Sequence, residues 1–287
     1  MGKNDKFRFA IADIVVELLG EDNLTLTPPK AYLGFVSKKS ADLVLKLKRY
    51  LPFFKNQKKL FSAYRQWDVF YRDKKLIFNF YSLDLKPNLY KMAVIERDFR
   101  SGEVYLREDL PEGFMLNFWE YPLDEVLFLG LLTYRRLGVM LHSCGIKKDT
   151  EGILFAGSSG MGKSTLASLL KNDLSILSDE RVILRKKDTG FQVFGTPWHG
   201  DVQVYSSEEA NLKGLFLLRH AQRNHIKRMS LSEAISKLLV CSLVPWWDKQ
   251  AMDFVLDFYR ELIWHIPVYE LGFYPDRRIV DFIKKIF

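Results

Sequence analysis

One nine-residue segment constrains the fold of this chain more than any other part of the sequence. An apolar run at residues 153–156 precedes it, and a helical pattern that ends near residue 171 follows it. Glycines let consecutive backbone N–H groups turn toward one small volume, and the helix start adds the positive end of its dipole. This order of strand, glycine-rich turn and helix predicts a phosphate-binding loop. The segment reads Gly157-Ser158-Ser159-Gly160-Met161-Gly162-Lys163-Ser164-Thr165.

The spacing G-x-x-x-x-G-K-[ST] in this loop also suggests side-chain roles. Lys163 can reach the β- and γ-phosphates of a nucleoside triphosphate, and the Ser164 hydroxyl is placed to ligate Mg²⁺ on the same phosphates. We therefore predict that residues 157–165 bind ATP together with Mg²⁺. The loop identifies a bound group and not a reaction, because GTPases, motor ATPases and kinases all use it.

An acidic pair, Asp179-Glu180, comes sixteen residues after Lys163 and directly follows an apolar run at residues 174–177. A carboxylate at the end of such a strand can face a metal ion or the hydroxyl group of a phosphate acceptor. The alternative is that two exposed acids simply end a strand. We favour the functional interpretation, in which both carboxylates are candidates for the metal or the acceptor.

Two further segments are candidates for the same site. His142 lies in an apolar run that we expect to pair with the strand entering the loop, so its imidazole could donate to the γ-phosphate. A hydrogen-bonded core histidine explains it equally well. Residues 195–201 follow a strand end and could grip a substrate through Thr196, Trp198 and His199. A packed turn with Trp198 filling a surface hollow is the alternative.

Together these residues resemble the HPr kinase/phosphorylase superfamily, whose catalytic domain is similar to ATP-dependent phosphoenolpyruvate carboxykinase. His142, the phosphate loop and Ser178-Asp179-Glu180-x-Val182 carry the resemblance, which is best over residues 141–182. It implies that Asp179 is the base that takes the proton of a hydroxyl. It also implies that Glu180 assists at the metal and that His142 lies beside the phosphates.

Residues 195–200 look like the HPr-kinase-related proteins of bacterial gene clusters, some of which phosphorylate peptides or small molecules. The sequence departs from the bifunctional enzymes in two respects. It lacks their glycine-rich signature after the acidic pair, and Thr165 stands where their loop commonly has glutamate. Phosphorolysis, HPr as substrate and hexamer formation are therefore not carried over, and self-association of the chain is left open.

The leading hypothesis is an ATP-dependent kinase that transfers the γ-phosphoryl group to a hydroxyl of a peptide, protein serine or small molecule. The first alternative is a non-catalytic or regulatory ATP- or GTP-binding protein, in which the triphosphate orders a binding surface. A carboxykinase is a third hypothesis, but we assign no basic residues to the oxaloacetate site that it needs.

For the fold, we predict an α/β chain with a β-rich α+β accessory domain at residues 1–120 and the phosphate-loop domain, of HPr kinase/carboxykinase type, at residues 121–287. The sheet of the second domain should be mixed, because hairpin-length turns at 147–152 and 187–190 join its strands. Residues 41–51 fit a helix or a strand. We place Trp246, Trp247 and the helix that contains Trp264 in the core. Other predicted elements are strands at 8–12, 75–80, 103–107, 215–218 and 268–273 and helices at 122–137, 230–239, 248–265 and 276–286.

Composition narrows the remaining classes. The chain has 287 residues, 48% of them hydrophobic, and a net charge of +8 with acids interleaved among the bases. We therefore do not expect a nucleic-acid partner, and we interpret the lysine clusters at 38–39, 46–49 and 55–59 as a solvated face. Residues 1–13 show no signal peptide, and we expect no membrane span. Two cysteines without metal-type spacing fit a reducing cytoplasm.

Overall fold

The computed structural model describes residues 5–21, 24–109 and 118–286. The chain forms two compact units. The first comprises Met1–Arg135 and Pro245–Lys249, and the second comprises Arg136–Val244 and Gln250–Phe287. Both units are rich in strands, and the chain as a whole is mixed α/β. The observed division lies beyond the predicted boundary at residue 120, and a short later segment joins the first unit.

The strands of the first unit form one eight-stranded sheet within the described residues, in the order β1-β2-β3-β8-β7-β6-β5-β4. The pairs β2–β3 and β3–β8 are parallel and the others antiparallel. The strands are β1 Lys6–Ile11, β2 Ile14–Gly20, β3 Leu43–Lys48, β4 Lys58–Ala63, β5 Trp67–Arg72, β6 Lys75–Tyr81, β7 Leu89–Glu96 and β8 Ser101–Leu106, and a 3-10 helix spans Lys30–Phe35.

The predicted strands at 8–12, 75–80 and 103–107 correspond to β1, β6 and β8. The ambiguous residues 41–51 contain β3, in which Leu43, Leu45 and Leu47 are buried and alternate with more exposed residues. These residues form a strand because β3 pairs with β2 on one side and with β8 on the other. Burial of every second residue is the pattern of a strand and not of a helix.

Helix α1, Leu123–Tyr134, belongs to the first unit, and it accounts for the shifted boundary. Its sequence is apolar around its whole circumference, so that nearly every residue is buried. The ring of Phe128 lies 6.5 Å from that of Phe9, and a Cβ on Gly130 would fall 2.2 Å from the ring of Phe99. The helix is thus a core element of the first unit.

The aromatic residues expected in the core behave differently from one another. Trp247 is buried in the first unit, with its ring 5.6 Å from that of Trp67 and 5.9 Å from that of Phe78. Trp246 is 63% exposed, so the core prediction is wrong for this residue. The helix that contains Trp264 does pack into the core, although Trp264 itself is 85% exposed, because other positions of the helix face inward.

In the second unit, the described strands form a nine-stranded sheet. Strands β10, β14 and β17 are mutually parallel, and the hairpins β9–β10 and β12–β13 are antiparallel, which confirms the predicted mixed sheet. The strands are β9 Val139–Lys148, β10 Glu151–Ala156, β11 Ser175–Ser178, β12 Arg181–Lys187, β13 Gly190–Phe194, β14 Glu209–His220, β15 His225–Arg228, β16 Ser242–Leu243 and β17 Val268–Phe273.

Helices cover both faces of this sheet. Helix α2, Lys163–Leu170, and helix α5, Arg278–Lys284, contribute to one apolar cluster. Helix α3, Leu231–Val240, and helix α4, Lys249–His265, contribute to the cluster on the other face. The loop between β10 and α2 therefore leaves the carboxyl end of a strand in a sheet that is covered on both faces. No helix in the described part of the chain is long and apolar enough to cross a membrane.

Candidate functional site

The predicted phosphate loop leaves the sheet at the end of β10, which pairs with β9 on one side and with β14 on the other. Within the loop, Gly160 and Gly162 have φ of 82° and 92°, in the left-handed region that favours glycine. A Cβ on Gly162 would also lie 2.9 Å from the ring of Phe273. Backbone conformation and close packing both explain the glycine at 162.

Helix α2 begins directly after Gly162, which is its N-cap residue and provides no side-chain hydrogen bond. The first N–H groups of a helix have no acceptor within the helix. A cap would normally occupy one of them, but here they stay available at the positive end of the helix dipole. The start of α2 can therefore accept an anion.

Lys163 is the first residue of α2 and is 95% buried, with a relative exposure of only 5%. Its ammonium donates to the carbonyl oxygens of Gly157 at 2.8 Å and Ser158 at 3.2 Å. No carboxylate of the described residues forms an ion pair with it. Burial lowers its pKa, and the negative charge of Glu180 opposes that shift. Such a cation is stabilised by an anion with several oxygen atoms.

The other loop residues divide by exposure. Ser158, Ser159 and Thr165 are exposed, and Ser164 is half-buried at the second position of α2. Met161 packs against the apolar cluster beneath α2 and so anchors the middle of the loop. The side chains left open to a ligand are thus hydroxyls.

Asp179, the predicted base, is fully buried, with no exposed surface. One carboxylate oxygen accepts a hydrogen bond from the backbone N–H of Gly200 at 2.8 Å, and the other accepts from the N–H of Val202 at 2.9 Å. The carboxylate therefore holds a loop of the chain itself in this conformation.

Glu180 has a different environment from its neighbour. Its side chain is 28% exposed, and one oxygen lies 3.3 Å from Nε2 of His142 while the other contacts the guanidinium of Arg181. The hydrogen bond with His142 and the charge of Arg181 lower its pKa to about 2, although burial acts in the opposite direction. Glu180 therefore remains ionised at neutral pH.

His142 lies on β9, the strand that pairs with β10, as the sequence predicts. It stands opposite Arg181 in the register of β9 and β12, and its side chain is 26% exposed. Because the charge of Glu180 acts on Lys163, the group of His142, Glu180 and Arg181 is electrostatically linked to the phosphate loop. The structure thus brings two predicted residues, His142 and Glu180, into contact.

The candidate substrate residues of the 195–201 segment do not share one orientation. Thr196 is fully buried and its hydroxyl donates to the carbonyl of Arg181. Trp198 is also buried, and its carbonyl accepts from the hydroxyl of Ser178 at 2.9 Å. Only His199 of the three is exposed. Thr196 and Trp198 therefore fasten the segment in its place.

Three residues of this region have contacts to the acidic pair that the sequence analysis did not predict. Arg181 pairs with Glu180, Ser178 accepts hydrogen bonds from the N–H groups of Glu180 and Arg181, and Gly200 lies against both acids. The adjacency Asp179-Glu180-Arg181 was a visible signal for the arginine. The closeness of Gly200 had no signal, because it depends on a contact between segments twenty residues apart.

The donor set fits Mg²⁺ held jointly with a nucleotide. No group of three or more His, Cys, Asp or Glu side chains within the described ranges is arranged to bind a metal by itself. Mg²⁺ usually takes one or two protein oxygens and completes its shell with water and substrate phosphates. Ser164, at the second position of α2, provides one such oxygen beside the loop.

Comparisons with known proteins give one family match. The family model described as SynChlorMet cassette protein ScmC matches residues 124–271, which are 148 of the 287 residues. No curated protein sequence matches the chain. Among solved structures, the Hpr(Ser) kinase/phosphatase from Coxiella burnetii aligns with 10% identity and a TM-score of 0.32, covering 51% of this chain and 87% of that chain. A likeness at that score carries no argument about activity.

Proposed function

The chain belongs to the family of SynChlorMet cassette protein ScmC. For this member of the family, we propose the function of an ATP-dependent kinase. It would transfer the γ-phosphoryl group to a hydroxyl of a peptide, protein serine or small molecule. The family description states no activity, so the support comes from the geometry of the site.

One observation carries the proposal: the buried ammonium of Lys163. Its partners are two carbonyl oxygens of the loop, and it lies at the start of a helix whose N–H groups have no cap. A cation in that position beside a positive dipole end is electrostatically unfavourable in isolation. A triphosphate supplies oxygens that accept from both the ammonium and the helix N–H groups.

The neighbouring side chains suit transfer as well as binding. In the reaction, the acceptor oxygen bonds to the γ-phosphorus, the bond to the β-phosphate oxygen breaks, and ADP leaves with the electron pair. The hydroxyl proton passes to a carboxylate of the acidic pair. His142 and Arg181 lie at Glu180 and can donate to phosphate oxygens as charge develops on them.

Mg²⁺, when bound, would neutralise charge on the phosphate oxygens. Ser164 would hold it, because Ser164 follows Lys163 in the first turn of α2, and water and phosphate oxygens would provide the other ligands. Ser164→Ala should raise the Mg²⁺ concentration needed for half-maximal turnover by about tenfold. An unchanged Mg²⁺ titration would remove Ser164 from the proposed ligands.

A second candidate function is a regulatory nucleotide-binding protein that performs no transfer. The closed position of Asp179 favours it, because the carboxylate that the family resemblance assigns as base is buried under the backbone of Gly200 and Val202. In this case ATP would order a surface and would not be consumed.

The test is incubation with γ-labelled ATP and Mg²⁺ in the presence of a panel of serine-containing peptides and polyols. We expect a labelled, stable product from the unaltered protein and none from Lys163→Met. The matched control is Lys171→Met, which removes an exposed lysine at the C-cap of the same helix. ATP binding without any labelled product or free phosphate would instead support the regulatory candidate.

Failure of ATP to bind at all would contradict both functions. Binding is measured separately by equilibrium titration, so that lost affinity and lost transfer can be told apart.

A further inference from the structure

We propose that Asp179 is a positioning residue, which clasps residues 199–202 over the site, and that Glu180 is the carboxylate reached by the acceptor hydroxyl. The inference deepens the proposed kinase function and rests on it. It moves the role of proton acceptor from Asp179, where the family resemblance places it, to Glu180.

Asp179 is closed to an acceptor in this conformation. Each of its oxygens already accepts one backbone N–H, from Gly200 and from Val202, and no part of the residue is exposed. A base must lie within hydrogen-bond reach of the proton that it takes. In this conformation, the backbone of the clasped segment occupies the positions that an acceptor would need.

Several hydrogen bonds join the clasped segment to the turn that carries the acids. The hydroxyl of Ser178 donates to the carbonyl oxygen of Trp198, and the hydroxyl of Thr196 donates to the carbonyl oxygen of Arg181. Asp179 adds two bonds further along the segment. Four hydrogen bonds therefore join residues 178–181 to residues 196–202, and Asp179 accepts two of them.

The backbone of Gly200 lies close to both acids. A Cβ at this position would lie 3.1 Å from an oxygen of Asp179 and 3.2 Å from an oxygen of Glu180. The backbone of Gly200 therefore covers the acids closely, and a side chain there would displace them. His199 and Asp201 on either side of Gly200 are exposed.

Glu180 meets the requirements that Asp179 does not. It is partly exposed, and His142 and Arg181 hold its two oxygens in a defined orientation. When the acceptor oxygen bonds to the γ-phosphorus and ADP departs with the electron pair of the broken bond, the hydroxyl proton passes to Glu180.

The test combines amide hydrogen exchange on the nucleotide-free protein with phosphate release from γ-labelled ATP in the presence of Mg²⁺. Asp179→Asn replaces one acceptor oxygen by an NH₂ group that faces an N–H donor. We expect exchange at Gly200 or Val202 to become about 10- to 100-fold faster, with core amides of β9 and β14 unchanged. Turnover should fall by only about tenfold.

Glu180→Gln should show the opposite pattern. Exchange at Gly200 and Val202 should stay as in the unaltered protein, whereas turnover should fall by about 10²- to 10⁴-fold. Asp201→Asn is the matched control, since it removes the same charge from an exposed position of the same segment. It should leave the exchange rates at Gly200 and Val202 unchanged.

Gly200→Ala provides a second route if Asp179→Asn does not fold. It keeps both carboxylates but crowds the contact above them, so it should speed exchange at Val202. Because its methyl group would lie 3.1 Å from an oxygen of Asp179 and 3.2 Å from an oxygen of Glu180, only the exchange rates of this variant test the clasp.

Two results would overturn the inference. Unchanged exchange in both Asp179→Asn and Gly200→Ala would refute the clasp, and loss of turnover in Asp179→Asn beyond that of Glu180→Gln would return the base to Asp179. If the unaltered protein shows no turnover of any kind, the proposed kinase function and the role of Glu180 fail together. The exchange data still decide the clasp in that case, because they require no reaction.

Discussion

The starts of helices α2 and α3 solve the same structural problem in opposite ways. At α3, the hydroxyl of Ser230 accepts from the N–H of Glu233, and the carboxylate of Glu233 accepts from the N–H of Ser230. At α2, Gly162 is the N-cap and provides no side chain. One helix satisfies its own N–H groups and the other leaves them open, which identifies α2 as the helix start that is suited to a ligand.

The charges at the two helix starts differ in the same sense. The first turn of α3 carries Glu233, whose negative charge is favourable at the positive end of the helix dipole. The first turn of α2 carries the buried Lys163 and no acid. Stability alone favours the arrangement at α3, so the arrangement at α2 indicates that an anion completes it.

The largest expected effect comes from giving α2 the kind of cap that α3 has. Gly162→Asp would place a carboxylate where phosphate oxygens are expected, and like charges brought together cost several kcal/mol. We expect ATP affinity to fall by about 10²- to 10³-fold in equilibrium titration. Gly162→Ala is the control, because it brings the same backbone strain and the same Cβ contact with Phe273 without the charge. Retained ATP affinity in Gly162→Asp would contradict an anion site at α2.

Glu180→Gln tests the electrostatics beside α2 through pH. The pKa of Glu180 is about 2 in the folded chain and near 4.5 when unfolded, so its contribution is complete above pH 4.5 and is lost as pH falls to 2. At pH 7 the variant should be less stable by no more than about 3 kcal/mol. Urea unfolding at several pH values measures the difference, which should vanish near pH 2. A difference independent of pH would show that packing, and not charge, is responsible.

Lys163→Met separates function from stability at the same helix. An apolar side chain of similar length removes a buried cation, so the free energy of unfolding without nucleotide should stay the same or rise by about 1 to 2 kcal/mol. Denaturant unfolding in the presence and absence of ATP is the measurement, and only the unaltered protein should gain stability from ATP. A loss of stability without nucleotide would mean that the ammonium stabilises the loop by itself.

Ser230→Ala should have the smallest effect, and it should change stability without changing ATP binding. Loss of the cap at α3 should lower the free energy of unfolding by about 1 kcal/mol and leave ATP affinity unchanged. Thermal unfolding and ATP titration are measured on the same variant, with Ser232→Ala as a control at the neighbouring exposed serine. Weaker ATP binding would show that the two helix starts are not independent.

Features that depend on neighbours in the sequence were predictable. The capping box of α3 and the hairpin β9–β10 follow from residue types at fixed short spacings. The glycines of the phosphate loop follow from the backbone conformations that the turn requires. The pairing of His142 beside the loop could also be predicted, because a hairpin sets which strands are adjacent.

Features that depend on distant contacts were not predictable. Asp179 and Glu180 are adjacent in the sequence, yet one is buried beneath Gly200 and the other faces His142 and Arg181. The exposure of Trp264 and the membership of α1 in the first unit depend likewise on what other segments cover. Amino-acid types alone do not show which of several apolar surfaces a residue will meet.

The sequence by itself determined a strand, a glycine-rich turn and a helix that begins with lysine, because these depend on local backbone conformation and on the spacing of residues. Only the tertiary structure decided that Lys163 is buried with carbonyl partners, that Asp179 clasps residues 199–202, and that Glu180 stays partly open. Burial and hydrogen-bond partners are set by segments that the fold brings together from distant positions, and these contacts determine the reactivity of a carboxylate or an ammonium.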